Sequence, residues 1–553
     1  MARISIFLVI ALLLTHFILV VCCIEANAPT CDEIAHHVAS GYSYLITRDF
    51  RMNPSNPPLV RELSALPLLF LNLKLPLDSQ AWIDGNSPVF GRQFFYELNT
   101  NAGAIIYWAR IPIAMLSLAL GLLIFLWSSS LYGYSGGLLS LALYSFSPNI
   151  IAHAGLATVD LGAALFICLS LFAFRLFLKI PSLKNIILAG VCFGLAQASK
   201  YTSILLVPIF IMLSIIFYGI QKNNTARPVP GRLISGILSI FLIGAVTLFA
   251  SYFFELKPLI KNAPDVSGKI EYIKGISQKM HFEKMGIDKE RAVWIAQNVA
   301  VPFSAYLVGL SGVVHQGSIG GYNTFLLGKV CRTGFWDYFL VAFFVKSTLP
   351  ALLLFLCAVI LLFTYGKKVA QEGLFLIIPI VFFFLVTAYS KTQVGIRHLL
   401  EIYPLIFIFA GSMSTASLKK ILKYSIFGAA VIWQFASLMT AFPYPIAYFN
   451  EIAGGPDNGY NILRDSNLDW GQGLKALKSY MAHNGIYTIK LNYFGTADPS
   501  YYNIDYEPMS EQDFKIPGRG VYAISAQNLY GIEWANRIKP AAKIAHSIFI
   551  YKF

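Results

Sequence analysis

Residues 4–23 read ISIFLVIALLLTHFILVVCC, twenty positions without an acid, lysine or arginine. Coiled at 1.5 Å per residue, such a run spans about 30 Å, the thickness of a bilayer's hydrocarbon core. Comparable runs follow at residues 104–128, 135–152, 159–178, 186–199, 201–219, 233–254, 338–363, 373–389, 399–415 and 424–441. The pattern predicts a mainly α, polytopic membrane protein with about eleven transmembrane helices. Composition agrees, because 56% of the 553 residues are hydrophobic and 13% are charged, about half the charged share of a soluble domain. A soluble enzyme is excluded. The formal charge of +14 is scattered through short loops and external segments, which argues against a nucleic-acid stripe. Seven cysteines in no CxxC or Cys/His spacing predict neither a disulfide framework nor a zinc site. Arg3 before the first run and Ala26-Asn27-Ala28 after it also fit a cleavable leader. The apolar core is long for that, so an uncleaved first helix is expected, with cleavage within residues 1–28 left open.

Threading the spans with the N-terminus inside places Arg3, Arg175, Lys179, Lys184, Lys222, Arg227, Arg232, Lys367, Lys368, Lys419, Lys420 and Lys423 at cytoplasmic turns, as the positive-inside rule requires. Only the turn near Gly133–Gly136 carries no charge. Residues 24–103, 256–337 and 442–553 then lie outside, and any active face is extracytoplasmic. The expected division is a membrane domain over 1–441 and an extracytoplasmic domain over 442–553. In the first external segment, helical stretches near 32–47 and 59–71 flank Asn53-Pro54-Ser55-Asn56-Pro57-Pro58, where proline bars helix continuation. The terminal segment reads as a small α/β domain, with a helix near 471–482 and strands near 488–493, 521–525 and 547–553.

Charges at or inside spans are costly, and by default they mark function. Here Asp32, Glu33, Arg110, Asp160, Lys200, Lys346, Arg397 and His398 all fall at or near outer span ends. Any one could be an interfacial or snorkelling charge; the group is harder to explain that way. Thr30-Cys31-Asp32-Glu33 fits a capping box in which Glu33 bonds back and Asp32 is left free. Asp160, between Val159 and Leu161, has no local partner and should face protein or water. His36 shares Asp32's helix face at i, i+4; a metal site built from that pair and another acid competes with a plain hydrogen-bonded histidine.

Outside the cytoplasm there is no nucleotide-sugar pool, so a transferase there needs an activated sugar delivered through the lipid. A carboxylate that takes a hydroxyl proton, with cations that hold a departing phosphate, suits sugar transfer from a lipid phosphate. Asp32 is the candidate base; Arg110, Lys200 and Arg397 are candidate phosphate ligands. A single base without a covalent intermediate predicts inversion at the anomeric carbon.

Asp32-Glu33 after the first span, followed by Asn56-Pro57-Pro58-Leu59, resembles the first external loop of the GT-C integral-membrane glycosyltransferases. More narrowly, the chain is similar to the family 39-like protein O-mannosyltransferase and aminoarabinose-transferase group, which uses polyprenyl-phosphate sugars. Ala109-Arg110, Ser147-Pro148-Asn149 through Ala152-His153 to Thr158-Val159-Asp160, and Ser199-Lys200-Tyr201 share the likeness. So do Gly395-Ile396-Arg397-His398-Leu399-Leu400, Tyr448-Phe449-Asn450-Glu451 and Asp465-Ser466-Asn467-Leu468-Asp469-Trp470-Gly471-Gln472. The resemblance implies catalytic roles for Asp32, Glu33 and Asp160, and donor-phosphate contacts for Arg110, Lys200, Arg397 and His398. It implies a polyprenyl-phosphate sugar as donor, and a protein hydroxyl, glycolipid or envelope polymer as acceptor. Two positions depart from the pattern: Asn56 stands where relatives often carry His or Lys, and Glu401 where proline is common. The Asp-Trp-Gly-Gln run reads either as a substrate site or as a structural turn. No metal spacing or resident cofactor is expected, although a divalent ion fits the chemistry. The competing classes are a transporter or flippase of lipid-linked sugars and a non-catalytic assembly partner.

Overall fold

The computed structural model describes residues 2–220, 229–259, 288–362 and 367–553. Lys222, Arg227 and residues 260–287 lie outside them, as do the side chains of Arg3, Lys367 and Lys368. The chain is a mainly helical, multi-pass membrane protein with a small sheet at its C-terminal end. Among the described residues eight helices are long and apolar enough to cross a membrane, or nine if the pair Tyr338–Lys346 and Leu349–Leu362, bent by 111°, is one span. The difference from the expected eleven has two physical sources. The 44-residue helix Ala102–Ser145 contains Gly133 at φ 78°, ψ 175°, where a side chain would be strained. Its arms fold back on each other, since the Ser117 and Tyr144 hydroxyls lie 2.7 Å apart and Ser140 bonds Ser128; it is two crossings joined at the uncharged turn. The remaining expected span is the 15-residue apolar helix Leu183–Gln197, shorter than a bilayer core.

The helix Ala2–Ala26 runs three residues past the end of its predicted apolar core. It is fixed to its neighbours by polar contacts: both nitrogens of buried His16 are engaged, by the Ser145 carbonyl at 3.0 Å and the Ser117 hydroxyl at 2.7 Å. Basic turn residues gather at one end of the helices. Arg175 bonds Glu372 at 2.7 Å, Lys179 pairs with the same carboxylate, and Lys423 donates to the Ser414 carbonyl. Asp160 begins the helix that carries Arg175, fifteen residues earlier, hence about 22 Å away along the axis.

Residues 24–103 fold over that opposite end, with helices at Glu33–His37, Val38–Thr47, Leu59–Ala65 and Leu66–Phe70, close to the predicted stretches. The terminal sheet has five strands in the order Asp505–Pro508, Thr488–Asn492, Val521–Ser525, Ile548–Lys552, Ala542–Ile544. The first three run parallel and the last two join antiparallel. The two outermost strands escaped the sequence reading because each is only three or four residues long. The helix Leu474–His483 precedes the sheet.

Candidate functional site

The acidic loop is built by the terminal segment. Ala28 N–H donates to the Gln472 carbonyl and Cys31 N–H to the Trp470 carbonyl, while the Thr496 hydroxyl donates to the Cys31 carbonyl. The Asp-Trp-Gly-Gln run is therefore a structural clasp for residues 28–31. Asp469 turns that run through its carboxylate, which accepts the Gly471 N–H at 3.2 Å. Burial pushes its carboxyl up to about 7, against the pull of that N–H.

The chain then enters a π turn at Glu33–His37, a form that places residue i+5 where an α-helix places i+4. The acids diverge there. Glu33 is sealed in: Arg110 grips it with Nε and Nη2 at 2.8 and 2.7 Å, and both side chains have zero exposure. Glu33 also takes the Thr30 N–H and hydroxyl and the Ala157 N–H, so the predicted back-bond of the capping box is present. The other N–H groups of Arg110 reach the carbonyls of Ile24, Asn27 and Ala28. All five guanidinium donors are thus occupied. In this arrangement Arg110 anchors the loop with every N–H engaged.

Asp32 is open. Its Oδ2 accepts Arg397 Nη1 at 2.7 Å, and the two side chains keep 20% and 17% of their surface exposed. The Arg397 guanidinium lies 4.4 Å over the Trp470 ring, and its Nε is buried without a partner. Burial alone pushes the Asp32 carboxyl up; Arg397, followed by His37 and His36, outweighs it and holds the group below its ordinary value. His36 is turned to the Ser87 hydroxyl at 3.0 Å.

Asp160 and Lys200 pair at 2.7 Å, and Glu401 completes a triad at 2.9 Å from the same ammonium. Thr202 adds a bond to Glu401, while one oxygen of each carboxylate is left unpartnered. Lys200 is thus held between two acids rather than presented to a phosphate. His398 is half-buried against Phe339, within electrostatic reach of Lys200, Arg397, Asp160 and Asp32. Lys346 is buried, donating to the Ile446 and Asn467 carbonyls at 2.8 and 2.6 Å, a structural post. Among the described residues no group of three His, Cys, Asp or Glu side chains is placed to hold a metal ion.

Sequence reading passed over several members of this region. Arg61 is buried, bonding the Tyr44 hydroxyl and the Asn53 and Asn56 carbonyls, and so shapes the Asn-Pro-Pro turn. Glu62 beside it has its carboxyl pushed up to about 8 by burial, despite Arg61. Glu401 was visible only as a departure from a family pattern. Arg464 and Asp465 carried no signal beyond their place in the Asp465–Gln472 run.

Residues 93–248 match the family model described as dolichyl-phosphate-mannose-protein mannosyltransferase, a segment holding Arg110, Asp160 and Lys200 but not the acidic pair. No curated protein matches the chain. Among solved structures, ArnT from Cupriavidus metallidurans bound to undecaprenyl phosphate aligns at 10% identity over 99% of this chain and 97% of that chain, with a TM-score of 0.46. The Archaeoglobus fulgidus oligosaccharyltransferase AglB, in complex with an inhibitory peptide and a dolichol-phosphate, aligns at 10% identity over 99% of this chain and 74% of that chain, with a TM-score of 0.45.

Proposed function

We propose that the chain is a membrane glycosyltransferase that moves a sugar from a polyprenyl-phosphate donor to an acceptor at the extracytoplasmic face, with inversion. The observation that carries this reading is the half-open Asp32–Arg397 pair, an ionised carboxylate and a guanidinium on one accessible site. Asp32 takes the proton of the acceptor hydroxyl as its oxygen attacks the anomeric carbon. The bond from that carbon to the phosphate oxygen breaks with its electron pair on the phosphate. Arg397, with a spare buried N–H, stabilises that leaving group. His398 lines the same region, Glu33 and Arg110 fix the loop, and Asp160 with Lys200 and Glu401 sets the charge behind it.

On this reading residues 1–441 form the catalytic membrane domain and residues 442–553 an extracytoplasmic domain that clasps the acidic loop; the N-terminus is cytoplasmic. The acceptor is a protein hydroxyl, a glycolipid or an envelope polymer. The test uses the purified protein in lipid with radiolabelled polyprenyl-phosphate sugars and membrane extract as acceptor, comparing wild type with Asp32→Asn. Transfer by wild type alone, with donor binding kept in the variant, supports the assignment. Donor bound by both and transferred by neither, across a broad acceptor set, overturns it in favour of a protein that carries or holds lipid-linked sugars.

A further inference from the structure

A cavity of about 210 Å³ lies between the second external segment and the terminal domain, with Phe325, Tyr338, Arg464, Asp465, Phe494 and Gln527 on its walls. Its volume falls below the roughly 300–1,000 Å³ of sites for drug-sized ligands, so it suits one small ring rather than a chain.

Arg464 is 7% exposed, and among the described residues no carboxylate comes within ion-pair distance of it. Its Nε donates to the Tyr460 carbonyl at 3.1 Å, its Nη1 is buried with no partner, and the guanidinium stacks 4.1 Å over Phe325. Arg110 and Lys200 face carboxylates, Lys346 donates to two carbonyls, and Arg61, which shares an unpartnered Nε, still donates three bonds from its other nitrogens, whereas Arg464 makes one. A buried cation with an empty donor is costly to keep unless something fills it. Asp465, its neighbour in sequence, is turned away to the Ser466 N–H at 2.6 Å and stands at φ 59°, a left-handed conformation that costs a non-glycine residue about 1–3 kcal/mol. The Gln527 side-chain amide oxygen is fixed by the Asp465 N–H at 2.8 Å. The walls therefore offer aromatic faces, amide and carboxylate groups, and one unmatched guanidinium. That set suits the C–H faces, hydroxyls and acidic substituent of a charged sugar. The cavity adjoins the candidate active site: Val394 on its wall accepts the Ser466 hydroxyl through its carbonyl, and the Ile396 N–H, next to Arg397, donates to the Asn467 side-chain oxygen at 2.9 Å.

We propose that this cavity binds an anionic saccharide unit, its carboxylate or phosphate on Arg464 and its ring against Phe325. In calling that unit part of the acceptor, the proposal rests on the transferase reading; as a binding site it stands alone.

The test is equilibrium binding to the full chain in lipid nanodiscs of methyl glucuronide, glucose 6-phosphate, methyl glucoside and inorganic phosphate. At least one acidic sugar should bind ten-fold or more tightly than the neutral sugar, and Arg464→Gln should erase that preference. The apparent Tm of that variant should hold or rise, since an unmatched buried charge is removed. Phe325→Leu keeps the cation and should weaken the acidic sugars while sparing inorganic phosphate, which makes the test independent of how well Arg464→Gln folds. Equal binding of acidic and neutral sugars, a preference that survives Arg464→Gln, or inorganic phosphate binding as tightly as glucose 6-phosphate would each overturn the proposal. Asp32→Asn separates the two readings: transfer that survives in it sinks the transferase assignment, whereas its probe binding should match wild type in either case.

Discussion

Asp32 and Glu33 are adjacent acids on one turn, and each meets an arginine at 2.7 Å, yet the two pairs do opposite work. Glu33–Arg110 has no exposed surface and every donor in use. Its contribution is to pin the end of the first helix, the Thr30 turn and the Ala157 backbone to one another. Asp32–Arg397 makes a single bond, keeps about a fifth of its surface open and leaves Nε unpaired. A satisfied, sealed ion pair fixes geometry, while an under-satisfied and accessible one has capacity for a ligand.

The largest expected effect separates chemistry from stability. Asp32→Asn should lower transfer by about 10²–10⁴-fold, the usual worth of a general base, and lower the apparent Tm only modestly, by the share that the part-exposed Asp32–Arg397 pair contributes. Glu33→Gln should do the reverse, costing about 3–5 kcal/mol of stability because Arg110 is left buried and unmatched. Folded yield and thermal unfolding in detergent check it; a stable, inactive Glu33→Gln would break the comparison by making Glu33 part of the chemistry. Arg397→Lys should weaken donor binding by about 1.5–3 kcal/mol, the worth of a hydrogen bond to a charged group, read as a raised KM for the lipid-linked sugar. The Arg110→Lys variant should instead show its effect in unfolding.

The pH dependence sharpens the contrast. Asp32 must be ionised to act as base, and Arg397 holds its carboxyl below the ordinary value. The rate should stay level through neutral pH and fall only below the ordinary carboxylate range. Arg397→Gln removes the main opposing charge, and the acid limb of the rate profile should move upward. In stability terms, a depressed carboxyl contributes above its unfolded value and loses that contribution as pH falls through the folded one. The smallest effect is expected from Trp470→Leu, which removes a cation–π contact worth about 0.5–2 kcal/mol. It should show as a modest rise in KM for the donor, with donor binding by Arg397→Lys less sensitive to it than that of wild type.

Much of the fold was legible in sequence because membrane crossing is a local property: twenty apolar residues need no distant partner to declare themselves. The Gly133 hairpin, the parallel strands Thr488–Asn492 and Val521–Ser525, and the end of the bundle that gathers the polar set were readable in the same way. Pairing was not. Arg110, Lys200 and Arg397 were equivalent as cations at span ends, and only the fold showed one locked on Glu33, one held between Asp160 and Glu401, and one accessible beside Asp32. Arg464 was hidden more completely, since a single arginine in a polar run carries no mark of burial.

The sequence by itself determined that this is a multi-pass membrane chain with an acidic dipeptide after its first helix, because hydrophobic length and residue order are written locally. The tertiary structure decided which acid is open. That choice depends on Arg397, 365 residues along the chain from Asp32, on Arg110, 77 residues from Glu33, and on a π turn that swings adjacent side chains to different surroundings. Charge matching and burial are properties of what folds together, and no local pattern encodes them.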